Sequence, residues 1–159
     1  MIRTVIIGAG GRMGRQLIRQ VCDDPRFSLS GAVECAGSEF LGADAGVTAG
    51  LSPAGVVIGD DLRAALTRAD AVIDFSFHEA TPANVRLAAE AGAVAVVGTT
   101  GLTETEKGQL QEIADGGARI VFAPNMSVGV NLLFHLCDEV AGVLGQDYDI
   151  EVVEMHHNQ

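Results

Sequence analysis

An apolar run, Ile2–Ile7, stops at seven residues rich in glycine, Gly8-Ala9-Gly10-Gly11-Arg12-Met13-Gly14, and helical spacing begins directly afterwards. A strand, a glycine-dense turn and a helix in that order restrict the chain to an α/β arrangement with a helix N-terminus at the end of a buried strand. The same order builds a cradle for the pyrophosphate of a dinucleotide. Glycines let backbone N–H groups come close to phosphate oxygens, and the positive end of the helix dipole faces the anion. The strict G-x-G-x-x-G pattern fails because Met13 stands at its last glycine; the pattern that fits is G-x-x-G-x-x-G on Gly8, Gly11 and Gly14. A tight turn needs glycine with or without a ligand. Glu34 adds the second signal, since it closes the next apolar run where the ribose-binding acid of such a unit is expected.

Composition narrows the choices. The 159 residues include three cysteines, Cys22, Cys35 and Cys137, too few and too scattered for a disulfide framework or a zinc knuckle, so a reducing cytoplasm is the expected compartment. A formal net charge of −11 argues against nucleic-acid and anionic-membrane partners, both of which reward basic surfaces. No apolar run is expected to span a membrane, and the N-terminus reads as a core strand, not a signal peptide. The same acidity repels a dinucleotide, so the helix N-terminus after Gly11, with Arg12 and Arg15 beside it, must overcome it locally.

Further strands are expected at residues 29–34, 56–58, 71–75, 94–98, 120–122 and 149–154, with helices between most of them. Met13, Leu17, Ile18 and Val21 share one face of the first helix. Thr81 is the expected cap of a helix with Pro82 at its first position, ending at Gly92. Thr103 and Glu106 form a capping box ahead of Leu110, Ile113 and Ala114. This alternation implies a Rossmann-like, doubly wound parallel sheet over residues 1–126, followed by the start of a second, α+β substrate domain over residues 127–159. Residues 35–55 lack a period, and a loop of that length is either functional or partly helical. Ser127 caps a helix bearing a stripe of Leu132, Leu133, Leu136, Val140, Val143 and Leu144. Neither His78 nor His135 has a partner legible in the sequence.

Four clusters fall at strand ends: the glycine turn, Glu34, Gly98-Thr99-Thr100-Gly101, and Ala123-Pro124-Asn125-Met126-Ser127. Each is compatible with plain turn chemistry. All four share the sheet rim on which a dinucleotide would lie. Gly8 to Gly14, Asp74-Phe75-Ser76, Gly98 to Gly101, Ala123 to Gly129 and Glu154-Met155-His156-His157-Asn158-Gln159 together resemble the family of 4-hydroxy-tetrahydrodipicolinate reductases, also called dihydrodipicolinate reductases. The family's last motif runs on into a lysine and a D-A-P-S-G-T segment that this sequence does not contain, so the likeness is to the N-terminal portion of such an enzyme.

The resemblance implies NADH- or NADPH-dependent reduction of a cyclic dicarboxylic imine, hydroxy-tetrahydrodipicolinate, to tetrahydrodipicolinate in lysine and diaminopimelate biosynthesis. It implies cofactor binding by Gly8, Ala9, Gly10, Gly11, Arg12, Met13, Glu34, Gly98, Thr99, Thr100, Ala123, Pro124, Asn125 and Met126, and a hinge at Asn125 to Ser127. His156 would donate the proton, as a group whose ordinary pKa of ~6.5 suits that work, and His157 would bind substrate. Adjacent side chains of an extended segment point to opposite faces, which separates those two roles and disfavours a metal site built from Glu154, His156 and His157. No metal is expected. The family's quaternary form, a tetramer, implies a homo-oligomer. The chain alone is expected to be inactive or weakly active. Where NADPH-preferring relatives carry a basic residue after the acid, this sequence has Cys35, so NADH is expected to serve at least as well. A dinucleotide-sensing module without chemistry is the alternative, and the terminal histidine pair argues against it.

Overall fold

A computed structural model describes residues 1–153 and residue 155. The chain divides into two compact units, Met1–Pro124 and Asn125–Gln159. In the first, strands β1 (Ile2–Ile7), β2 (Phe27–Val33), β3 (Ile58–Gly59), β4 (Ala71–Asp74), β5 (Val94–Val97) and β6 (Ile120–Phe122) form one sheet in the order β3-β2-β1-β4-β5-β6. Every neighbouring pair is parallel. That order reverses direction between β1 and β4, which is the switch point where open α/β sheets bind ligands.

The strands are short and apolar because they are covered on both sides. Val5, Ile6 and Ile7 of β1 are all buried, and each side chain of that size contributes roughly 1.5–3 kcal/mol by leaving water. On one face Val5, Ile7, Val72 and Val97 meet α3 (Leu62–Leu66), α4 (Thr81–Glu90) and α5 (Glu104–Asp115). On the other, Ile6, Ala32 and Ile58 meet Ile18 and Val21 of α1 (Arg12–Asp23) and Ala45 of α2 (Ala45–Thr48). The expected capping box of α5 is present, with Thr103 and Glu106 exchanging hydrogen bonds.

Several expectations need correction. Met13 is half exposed, so the buried face of α1 consists of Gly14, Ile18 and Val21. Thr81 is the first helical residue of α4 and not its cap; Ala80 takes that place, and the Thr81 hydroxyl donates to the Phe77 carbonyl. The aperiodic stretch 35–55 contains the short helix α2, capped by Asp44. His78 does have a partner, Glu106.

The second unit contains α6 (Val128–Leu144), with the Ser127 hydroxyl accepting from the Val130 N–H, and a 3-10 turn, Gly145–Asp147. Among the described residues, none of its side chains is buried, and the apolar stripe stands exposed. Contrary to expectation, Val128–Asp147 is long and apolar enough by length and composition to cross a membrane, because the 3-10 turn extends the helix. Asp138 and Glu139 stand in the middle of it, where hydrocarbon penalises charge. The strand expected at residues 149–154 is not seen over 149–153; among the described residues no strand pairs with them, and a lone strand has nothing to bond.

Candidate functional site

The register of the sheet creates the site. Val33 lies beside Ile7, Ile7 beside Asp74, Asp74 beside Val97, and Val97 beside Phe122. The next residue of each strand therefore falls on one rim: Glu34, Gly8, Phe75, Gly98 and Ala123. Each of these extends the ladder by one bond, as in the Gly8 N–H donating to the Val33 carbonyl at 2.9 Å and the Gly98 N–H to the Asp74 carbonyl at 3.0 Å.

Sterics fix the glycines of the first turn. Gly8 has φ +80°, and a Cβ there would stand 2.5 Å from the Phe75 carbonyl oxygen. At Gly14 a Cβ would stand 2.0 Å from the Gly8 oxygen, so α1 can start this close to β1 only without a side chain. Gly11 is the N-cap of α1 and has no side chain with which to cap; no acid lies in the first turn. That helix end thus has no side-chain cap and no acid, and the positive end of its dipole stands there, an arrangement suited to a phosphate.

Glu34 reaches across this turn. Its Oε1 accepts from the Gly10 N–H at 2.7 Å and its Oε2 from the Cys35 N–H at 3.2 Å. These bonds hold the carboxylate in the wall of a cavity of about 400 Å³ whose lining also includes Gly8, Gly11, Cys35 and Asp60. A second cavity, about 340 Å³, is lined among others by Met13, Gly98, Thr99, Thr100 and Pro124. Gly11, Phe75 and Ser76 line both, so the two adjoin at the α1 N-terminus.

The sequence-predicted residues separate accordingly. Gly8, Gly11 and Glu34 line the first cavity; Gly11, Arg12, Met13, Thr99, Thr100, Gly98 and Pro124 line the second. Ala9 is buried in the core beneath the turn, and the hydrogen that Gly10 carries in place of a Cβ faces the ring of Phe40. Ala123 sits on the rim without lining either cavity. Asn125 and Met126 open the second unit, where the Asn125 Oδ1 accepts from the Ser127 N–H at 2.8 Å. His156 and His157 lie outside the described residues.

Sequence reasoning missed Asp60 and Asn84. Asp60 follows β3 as Glu34 follows β2, a signal that strand spacing could have supplied; Asn84 enters from the interior of α4 and carries none. Phe75 was seen only as part of a motif, yet its ring fills the space that a Cβ at Gly98 would occupy, 2.0 Å from its Cζ. The Glu106 carboxyl is held below the usual carboxylate range by the Thr103 backbone N–H and by His78.

The family model described as "Dihydrodipicolinate reductase, N-terminus" matches residues 2–126. Among curated proteins, the chain is 50% identical over 157 residues to the 4-hydroxy-tetrahydrodipicolinate reductase of Anaeromyxobacter dehalogenans, covering 99% of this chain and 58% of that one. It is 46% identical over 157 residues to the enzyme of the same name from Hahella chejuensis, again 99% of this chain and 58% of the relative. The chain thus spans less than two thirds of the length of these relatives. Among solved structures, a dipicolinate-bound dihydrodipicolinate reductase from Paenisporosarcina sp. TG-14 superimposes with TM-score 0.70 at 20% identity, over 89% of this chain and 54% of that one. Biliverdin reductase from Synechocystis sp. PCC 6803, solved with biliverdin and NADP+, gives 0.60 at 21% identity, over 75% and 36%. At such identities these two likenesses show the fold.

Proposed function

The chain belongs to the dihydrodipicolinate reductase family, and from that premise we propose that its first unit binds a reduced nicotinamide dinucleotide for an NAD(P)H-dependent 4-hydroxy-tetrahydrodipicolinate reductase. The observation that carries the reading is the rim itself: an uncapped helix N-terminus at Gly11, Glu34 held beside it, and a cavity on each side. The adenosine half belongs in the cavity with Glu34, whose carboxylate accepts from ribose hydroxyls. The pyrophosphate belongs on the first-turn amides of α1, and the nicotinamide beside Gly98, Thr99 and Thr100. Once bound, the cofactor supplies a hydride. The chain's own residues supply orientation and, at His156, the proton, with His157 as a substrate contact. Residues 127–159 begin the substrate-binding and oligomerisation domain, and the dicarboxylate substrate and a homo-oligomer are the partners. The protein acts in the cytoplasm, where Cys22, Cys35 and Cys137 stay free; Asp138 and Glu139 within α6 argue against a membrane role.

Two carboxylates, Glu34 and Asp60, line the adenosine cavity beside the uncharged Cys35. A 2′-phosphate there meets like charge, whereas a 2′-hydroxyl meets acceptors. Calorimetric titration with NADH and NADPH at one ionic strength tests both statements. NADH is expected to bind at least as tightly; a clear preference for NADPH removes the specificity argument, and absence of binding by either removes the function.

A further inference from the structure

One carboxylate near this rim has no role in the reading above. Asp74 ends β4 at the switch point and is fully buried. Among the described residues no cation pairs with it, which makes it expensive to keep unless hydrogen bonds replace its water. They do. Its Oδ1 accepts from the Ser76 N–H at 2.9 Å, the Ser76 hydroxyl at 2.6 Å and the Thr99 hydroxyl at 3.3 Å, and its Oδ2 from the Asn84 amide at 3.1 Å.

Those donors come from three separate places: the loop after β4, helix α4, and the turn after β5. Asn84 lines only the adenosine-side cavity, Thr99 only the nicotinamide-side cavity, and Ser76 lines both. A second tie runs parallel to the first. The His78 Nδ1 lies 2.9 Å from Glu106 Oε1, so the loop after β4 is also fastened to the start of α5. An apolar residue at position 74 would fill the space more cheaply but would take the acceptor from the Ser76 N–H and hydroxyl. It would leave the Thr99 hydroxyl with only the residue-74 carbonyl at 3.2 Å and the Asn84 amide with only the Ser76 hydroxyl at 3.3 Å.

We propose that Asp74 is a positioning residue that joins the two halves of the dinucleotide groove into one preset rim. A ligand spanning both cavities then avoids the cost of ordering the second after filling the first. The inference rests on the dinucleotide reading, and its test separates the two.

The Kd values of NADH and of ADP-ribose, which lacks the nicotinamide, are measured on the 159-residue chain and on Asp74→Asn at a temperature where circular dichroism shows both folded. The variant is expected to bind ADP-ribose within about threefold of the parent and NADH at least about tenfold more weakly. Thr99→Val, which removes one donor at nearly constant shape, is expected to weaken NADH in the parent background and to add nothing in the Asp74→Asn background. A merely structural Asp74 would lower the melting temperature and leave the NADH affinity alone, and that result overturns the proposal. Should Asp74→Asn fail to fold, an unchanged NADH affinity in Thr99→Val alone overturns it equally. If the parent chain binds neither ligand, the dinucleotide reading fails first and takes the coupling with it.

Discussion

After β1 the chain turns through residues 8–11 into α1, and after β5 it turns through residues 98–103 into α5. Both are strand–glycine–helix junctions on the same rim, and both begin a helix of 12 residues. At α5 the Thr103 hydroxyl accepts from the Glu106 N–H, the Glu106 carboxylate accepts from the Thr103 N–H at 2.6 Å, and Glu104 adds a second acid to the first turn. At α1 the cap is Gly11, the first turn has no acid, and Arg12 and Arg15 stand close by. One helix end is capped by its own side chains and presents negative charge; the other has no side-chain cap and no acid, which suits an anion. Equal topology therefore says little about ligand binding, and the capping chemistry decides which turn receives the phosphates.

The comparison can be broken hardest at Gly14. Its replacement by Ala places a methyl 2.0 Å from the Gly8 oxygen, and overpacking of backbone on backbone is expected to cost roughly 3 kcal/mol or more. Thermal denaturation should show a melting temperature lower by about 10 °C, and NADH binding should be lost with the turn. Gly11→Asp makes α1 resemble α5. Backbone φ −67° and ψ 167° at Gly11 suit an aspartate cap, while its Cβ would stand 3.2 Å from the Gly8 oxygen. Cap and crowding should therefore offset to within about 1 kcal/mol while NADH affinity falls roughly 10- to 100-fold by calorimetry, because a carboxylate competes for the donors and repels the anion. The smallest effect is expected at the closed turn. Thr103→Ala removes the α5 cap at a cost of about 1 kcal/mol in a denaturant titration, with the NADH Kd changed by less than about twofold. A large loss of affinity there would show that the capped helix end also serves the ligand.

Features carried by neighbouring residues are legible in the sequence. The turn at residues 8–14, the acid after the second strand and the capping box at Thr103 each follow a short-range rule. Errors arose where burial overrode periodicity, as at Met13, whose helical spacing matches Ile18 but whose position at the lip of the second cavity leaves it half exposed. Thr81 failed for a related reason: its hydroxyl turned back to the Phe77 carbonyl, and the helix started one residue earlier than a cap at Thr81 would place it. Residues 149–153 have the β-branched, alternating look of a strand, but a strand exists only through a partner.

Sequence alone set the parallel α/β class, the place of the first turn and the acidic character of the chain, because these depend on local spacing and on summed charge. Tertiary structure alone revealed that Phe75 stands against both Gly8 and Gly98, that Asp60 joins Glu34 at one cavity, and that Asp74 collects Ser76, Asn84 and Thr99. Those contacts connect residues up to 67 positions apart in the chain. No periodicity encodes them, since they arise only when sheet register sets the strand ends in a single row.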